Sequence, residues 1–186
     1  DNSDQVVLYD ETGGSLAARA WWMFRWVGHE KVALLNGGWQ AWEGPKSSGF
    51  NPKPYRSNFK IKSTLTKLIT MQKLKTNESA QLVDARSLER WSGEKEPIDR
   101  VSGHIPNAVC YPFTENLEDG NRFKSETELR LRFQDLKEPI VCYCGSGVTA
   151  AHNILSLKIA GFSEPTLYAG SWSEWIEYDE NPIARN

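Results

Sequence analysis

The chain has 186 residues, 39% of them hydrophobic, with 22 basic and 24 acidic side chains and a formal net charge of -2. That length allows one ample core or two small ones. The near-balance of charge removes the electrostatic case for nucleic acid or an anionic membrane surface, and no apolar run approaches a membrane span, so small molecules are the expected partners. Three cysteines, an odd number, suit a reducing compartment in which a thiolate cycles, the cytoplasm or alternatively the mitochondrion, rather than a disulfide scaffold. No signal peptide is visible at Asp1, a silence that says nothing if the chain begins inside a longer protein.

Residues 6–10 read as a buried strand, and residues 15–27, with Trp21, Trp22, Phe24 and Trp26, as a helix covered on more than one side. Gly28 stops that helix. Residues 31–35 form a second apolar run, closed by Asn36-Gly37-Gly38 and followed by Trp39-Gln40-Ala41-Trp42. Residues 43–60, rich in Pro, Ser, Gly and Lys and without periodicity, read as a linker stiffened by Pro52 and Pro54. Beyond it a helix is expected over 64–75, strands over 80–85 and 108–113, a helix over 126–136, a strand over 140–143, a helix over 148–160, a strand over 166–168 and a Trp-rich helix from Ser171. Strands alternating with helices predict an α/β fold, a parallel sheet with helices on both faces, whose ligands bind at the carboxyl ends of the strands.

The opening order of elements recurs late in the chain. At one constant offset Ala17-Ala18 matches Ala150-Ala151, Gly28 matches Gly161, Leu35 matches Tyr168, Gly37 matches Gly170, Trp39 matches Trp172 and Trp42 matches Trp175. A one-residue gap then brings Asp10 opposite Cys144. The expected organisation is therefore residues 1–42 as the C-terminal part of one copy, 43–60 as linker and 61–186 as a complete second copy. The first copy lacks counterparts of the stretch from 81 to 113, and a fragment of that size does not supply its own core. An upstream segment, a second chain or the second copy itself should cover it.

Cys144 ends the apolar run from Ile140 to Tyr143 and precedes Gly145-Ser146-Gly147-Val148-Thr149. The two glycines allow a tight loop whose backbone N–H groups turn inward at the start of a helix, a place where an anion is stabilised and a thiol can serve as nucleophile. Cys110 and Cys142 lie inside apolar runs and read as core thiols. A metal pair of Cys142 and Cys144 lacks further ligands at suitable spacing, and neither a metal nor any other cofactor is expected. His104 in its Gly-His-Ile-Pro turn reads as structural, His29 follows a helix-ending glycine, and His152 on the helix after the loop is open to either reading.

The segment from Cys144 to Ala150 resembles the active-site loop of rhodanese-type sulfurtransferases, in particular the 3-mercaptopyruvate sulfurtransferases. Asp84-Ala85-Arg86, Gly103-His104-Ile105-Pro106-Asn107-Ala108 and the stretch from Tyr168 to Trp175 support it in order, with Asn107 standing where a glycine is usual. The resemblance implies a rhodanese-like fold and a ping-pong transfer of sulfane sulfur, from 3-mercaptopyruvate to a thiol or cyanide acceptor, through a persulfide on Cys144. The N–H groups of Gly145, Gly147 and Val148 would hold the persulfide, with Ser146 and Thr149 adding hydroxyls. Arg86 is the family's substrate arginine at this motif, Arg90 a second candidate for the donor carboxylate, and Asp84 orders the loop. The resemblance also makes the Asp10 copy the silent member of a tandem, because a carboxylate accepts no sulfane sulfur. Its early part, which supplies the family's histidine and aspartate for proton handling, lies outside this sequence.

Thiosulfate as donor is the alternative within the family, although its users tend to carry basic residues after the cysteine, where Gly145 and Ser146 are neutral. A cysteine-dependent phosphatase would need an arginine where Ala150 stands. A binding module that has kept the fold and lost the activity is the remaining reading.

Overall fold

The computed structural model describes residues 1–49, 57–77 and 79–186. Its centre is a strand whose four residues are all buried, Ile140–Tyr143. Alternation along this strand sends Cys142 to one face and Val141 and Tyr143 to the other, each into its own apolar cluster.

In chain order the strands are β1 (Val6–Leu8), β2 (Val32–Leu34), β3 (Lys67–Ile69), β4 (Gln81–Asp84), β5 (Val109–Cys110), β6 (Leu117–Glu118), β7 (Arg122–Phe123), β8 (Ile140–Tyr143) and β9 (Thr166–Tyr168). The α-helices are α1 (Ala17–Trp26), α2 (Met71–Lys75), α3 (Leu88–Ser92), α4 (Glu126–Arg132), α5 (Ala150–Ile159) and α6 (Ser171–Trp175). Five strands make a parallel sheet in the order β3-β9-β8-β4-β5, β1 and β2 pair in parallel by themselves, and β6 and β7 form an antiparallel hairpin. Residues of α1, α4 and α5 pack on one face of the large sheet, and those of α2 and α6 on the other.

Two expected elements differ. Residues 64–75 hold strand β3 and then helix α2 rather than one helix: Lys67 to Ile69 pair with Thr166 to Tyr168, and Thr70 in extended backbone caps α2 by accepting the Lys73 N–H. The edge of β9 needed a partner, and pairing there overrode the helical reading. The strand expected over 108–113 keeps only Val109–Cys110, because a 3-10 turn, Phe113–Asn116, begins at Pro112. Asn107 takes φ 64°, the left-handed conformation a glycine would supply. Of the expected linker, residues 50–56, including Pro52 and Pro54, lie outside the described residues.

The first 42 residues lean on the rest of the chain. Helix α1 packs against α5 and buries Trp21 and Trp22, while Trp26 is 48% exposed. Arg25 pairs with Glu164 at 3.2 Å, the β6–β7 hairpin donates the Phe123 N–H to Asn36, and His152 meets the Gly13 carbonyl at 3.0 Å. Elements follow in the same order in both copies, β1-α1-β2 against β8-α5-β9, and α1 and α5 begin and end at equivalent residues of the repeat.

Candidate active site

Behind Cys144 stands α6, which holds the loop by its backbone. The Cys144 N–H donates to Ser171 Oγ at 3.2 Å, and the carbonyls of Cys144 and Gly145 accept from the N–H groups of Trp172 and Ser173 at 3.0 and 2.9 Å. Ser171 does this from φ 58°, a conformation that costs a non-glycine residue on the order of 1 kcal/mol, and its hydroxyl donates onward to the Tyr168 carbonyl. With the carbonyls of Cys144 and Gly145 taken by α6, the N–H groups that follow are the loop's remaining donors. Those of Gly145, Ser146, Gly147, Val148 and Thr149 donate to nothing among the described residues. Gly147 is required twice over: its φ is 76°, and a Cβ there would stand 2.5 Å from the Ala169 carbonyl oxygen.

The equivalent loop of the first copy shows what such a ring of donors does. Both oxygens of Asp10 are engaged: Oδ1 accepts from Thr12 and Gly14 at 2.9 and 2.7 Å, and Oδ2 from Leu16 and Ala17 at 2.9 Å each. Burial alone would raise this carboxyl; the four backbone donors outweigh it and hold Asp10 below the ordinary carboxylate range. In the repeat register Gly14, Leu16 and Ala17 correspond to Gly147, Thr149 and Ala150. By that register the N–H of Ala150 joins the donors named from sequence.

Beside the loop runs a chain of alternating charges. Asp84 holds Arg86 at 2.7 Å, Arg86 meets Glu96 at 3.3 Å, Glu96 holds Arg90 at 2.9 Å, and Arg90 pairs with Asp99 at 2.9 Å. Asp99 and the Gly145 carbonyl both meet the Ser173 hydroxyl, each at 2.8 Å, which ties the network to the loop. Arg86, the arginine named from sequence for substrate, is held by its own neighbours. Its side chain is 1% exposed, it donates to Asp84, Glu96 and the Gly103 carbonyl, and its guanidinium lies over Trp172 at 4.8 Å. Burial opposes the Arg86 charge, and the Asp84 contact more than restores it. Arg90 is the arginine at the loop: its Nη atoms come within 4 Å of where a Gly145 Cβ would stand, and Nη1 has no hydrogen-bond partner among the described residues.

A rhodanese-like domain profile matches residues 1–45 and 68–178. The chain belongs to the rhodanese family. It is 44% identical over 97% of its length to a probable 3-mercaptopyruvate sulfurtransferase of Pseudomonas aeruginosa, of which it covers 67%. It is 40% identical over 91% of its length to the human 3-mercaptopyruvate sulfurtransferase, covering 62%, and 38% identical over 94% to the thiosulfate sulfurtransferase of Gallus gallus, covering 64%. The chain thus spans about two thirds of the length of these relatives. Among solved structures it resembles YnjE, with a TM-score of 0.87, 23% identity, all of this chain and 50% of that one covered, and an EanB variant in complex with ergothioneine, with a TM-score of 0.87, 23% identity, all of this chain and 52% of that one covered. That likeness is one of fold.

Around the rhodanese loop the remaining polar residues sort by their partners. Ser146 is exposed and Thr149 half-buried, and neither hydroxyl bonds to the described chain. Burial pushes the Cys110 thiol up to about 12 and raises Cys142 as well, so neither is a ready nucleophile. His152 is buried against Phe123; Nε2–H donates to the Gly13 carbonyl and Nδ1 accepts from Asn116, while burial pulls its pKa down to about 4. It joins the two copies as a neutral ring. His104 stacks on Trp91 and contacts the Trp91 carbonyl; His29 packs between Phe24 and Phe59. The described residues hold no cluster of His, Cys, Asp or Glu fit for a metal, and no described helix is long and apolar enough to cross a membrane. Ser171, Ser173, Glu96 and Asp99 were missed from sequence. Only Ser171 left a signal, since its repeat partner is Gly38, at φ 67°.

Proposed function

We propose that this chain carries the catalytic half of a 3-mercaptopyruvate sulfurtransferase. The observation that carries the reading is the run of backbone N–H groups after Cys144 without a partner among the described residues, whose counterpart after Asp10 holds a carboxylate. The Cys144 thiolate attacks the donor sulfur and the carbon–sulfur bond breaks. Its electron pair stays on the carbon fragment as the enolate of pyruvate, which takes a proton. Sulfur remains on Cys144 as an anionic persulfide, cradled by Gly145, Gly147, Val148, Thr149 and Ala150, with the Ser146 and Thr149 hydroxyls beside it. An acceptor thiolate or cyanide then takes the outer sulfur and the Cys144 thiolate leaves. Arg90, with a donor to spare beside Gly145, holds the donor carboxylate in place of Arg86.

The test is to treat the chain with 3-mercaptopyruvate and locate the added sulfur by peptide mass. Sulfur on Cys144, pyruvate released, thiocyanate formed on adding cyanide, and all three lost in Cys144→Ser are expected. Sulfur on Cys110 or Cys142 instead, or none, would return the chain to the binding-module reading. Thiosulfate stays as the second donor to assay, because a thiosulfate sulfurtransferase is also among the relatives.

Residues 1–42 are read as part of a silent copy and 61–186 as the catalytic one. An upstream segment of a longer chain is proposed to cover the first copy. Val7, Tyr9, Leu16, Met23 and Trp26 are 47–62% exposed, and β1 and β2 pair only with each other among the described strands. Two three-residue parallel strands do not stand without neighbours. A reducing compartment, cytoplasmic or mitochondrial, suits a persulfide cycle.

A further inference from the structure

The two copies meet through α1 and α5, and the meeting is reciprocal. From α5, His152 reaches into the Asp10 loop at the Gly13 carbonyl. The repeat places Arg19 of α1 at the position of His152. Its Nη1 is buried without a hydrogen-bond partner among the described residues, and its guanidinium carbon lies 5.0 Å from the Trp22 ring. Trp22 packs in the same apolar cluster as Cys144 and Ala151. Burial pulls the Arg19 pKa below the ordinary arginine value, and the influence opposing that shift is the charge of Cys144. A guanidinium does not give up its proton in a protein, and a buried N–H group of one without a partner is unfavourable unless an acceptor stands within reach.

We infer that Arg19 supplies, from the silent copy, the counter-charge to the Cys144 anion, first as thiolate and then as persulfide. The inference rests on Cys144 being the nucleophile proposed above. It gives the Asp10 copy a task in catalysis: its own loop is filled by its own carboxylate, while its helix lends a cation to the neighbouring loop. Backbone donors come from the Cys144 loop and the positive charge from α1.

A local cation can be read without any sulfur transfer. Cys144 of the 186-residue chain is alkylated with anionic iodoacetate and with neutral iodoacetamide, and each rate is followed by peptide mass. Arg19→Gln is expected to lower the iodoacetate-to-iodoacetamide rate ratio about three- to tenfold, the size of a lost charge at short range in a partly screened site. Arg19→Lys should keep most of the ratio, and Arg130→Gln, on the exposed face of α4, all of it. A merely structural role would move both rates together and leave the ratio unchanged, which would overturn the inference; so would an equal fall in Arg130→Gln. If Arg19→Gln does not fold, Arg19→Met against Arg19→Lys decides: equal ratios reject the inference. Alkylation at Cys110 or Cys142 with Cys144 inert would reject the nucleophile and this inference with it, whereas an active Cys144 with an unchanged ratio rejects the Arg19 role alone.

Discussion

Gly147 is the residue with least latitude. An alanine there would need the left-handed conformation and would press on the Ala169 carbonyl, so Gly147→Ala should cost about 1–3 kcal/mol in a urea melt and take sulfur transfer with it. Asp10 offers a contrasting test. Asn in its place turns an NH2 group toward backbone donors, and Asp10→Asn should destabilise the chain by about 1–2 kcal/mol after allowance for its exposure. The sign with pH follows from the lowered pKa. The carboxylate's contribution is present above the ordinary value of 3.8 and lost as pH falls through its lower folded value, so Asp10→Asn should remove part of the acid limb of the stability curve. The place of Cys144, after a buried strand and before a tight turn, was legible because glycines there have little other use. The surroundings of Arg86 were hidden for a physical reason: the sequence shows which strand end carries a guanidinium, but not that Glu96 and the Gly103 carbonyl fold back onto it.

Among elements, the short loop helices do more than the long ones. The backbone of α6 turns the Cys144 loop, and the stretch after α3 carries Glu96 and Asp99 to the arginines. Arg86→Ala should therefore act on folding, with a loss of about 3–5 kcal/mol from stranding Asp84, and not as a selective rise in KM for 3-mercaptopyruvate. A chain of unchanged stability with KM alone raised would restore Arg86 to the substrate. Strand β3 was hidden because three residues are too few to display alternation, and the residue that marks its end, Thr70, is equally a helix signal. The recurring order of elements was easier to see, since glycines and tryptophans stand at one offset in and after β1-α1-β2 and β8-α5-β9.

At the scale of the whole molecule, the contact between copies depends on a histidine that must stay neutral. Unfolded, His152 titrates near its ordinary 6.5; folded, burial holds it at about 4, with Asp10 the charge that works against the shift. Its contribution is complete above pH 6.5 and declines as pH falls toward 4, by about 3 kcal/mol at most. Urea midpoints across that range should drop in the parent chain and flatten in His152→Asn. An unchanged slope would mean that the ring is not what joins the halves. None of this was readable from sequence, where His152 faced two ways, because the choice was made by Gly13 and Asn116, both remote along the chain.

The occupied Asp10 loop also gives the protein an internal standard. Amide protons of Thr12, Gly14, Leu16 and Ala17 lie against a permanent anion and should resonate far downfield whatever the state of the enzyme. Those from Gly145 to Ala150 should move further toward them when sulfur is loaded. A single nitrogen-15 spectrum would then report the fraction of molecules carrying sulfur, calibrated by a loop that never turns over.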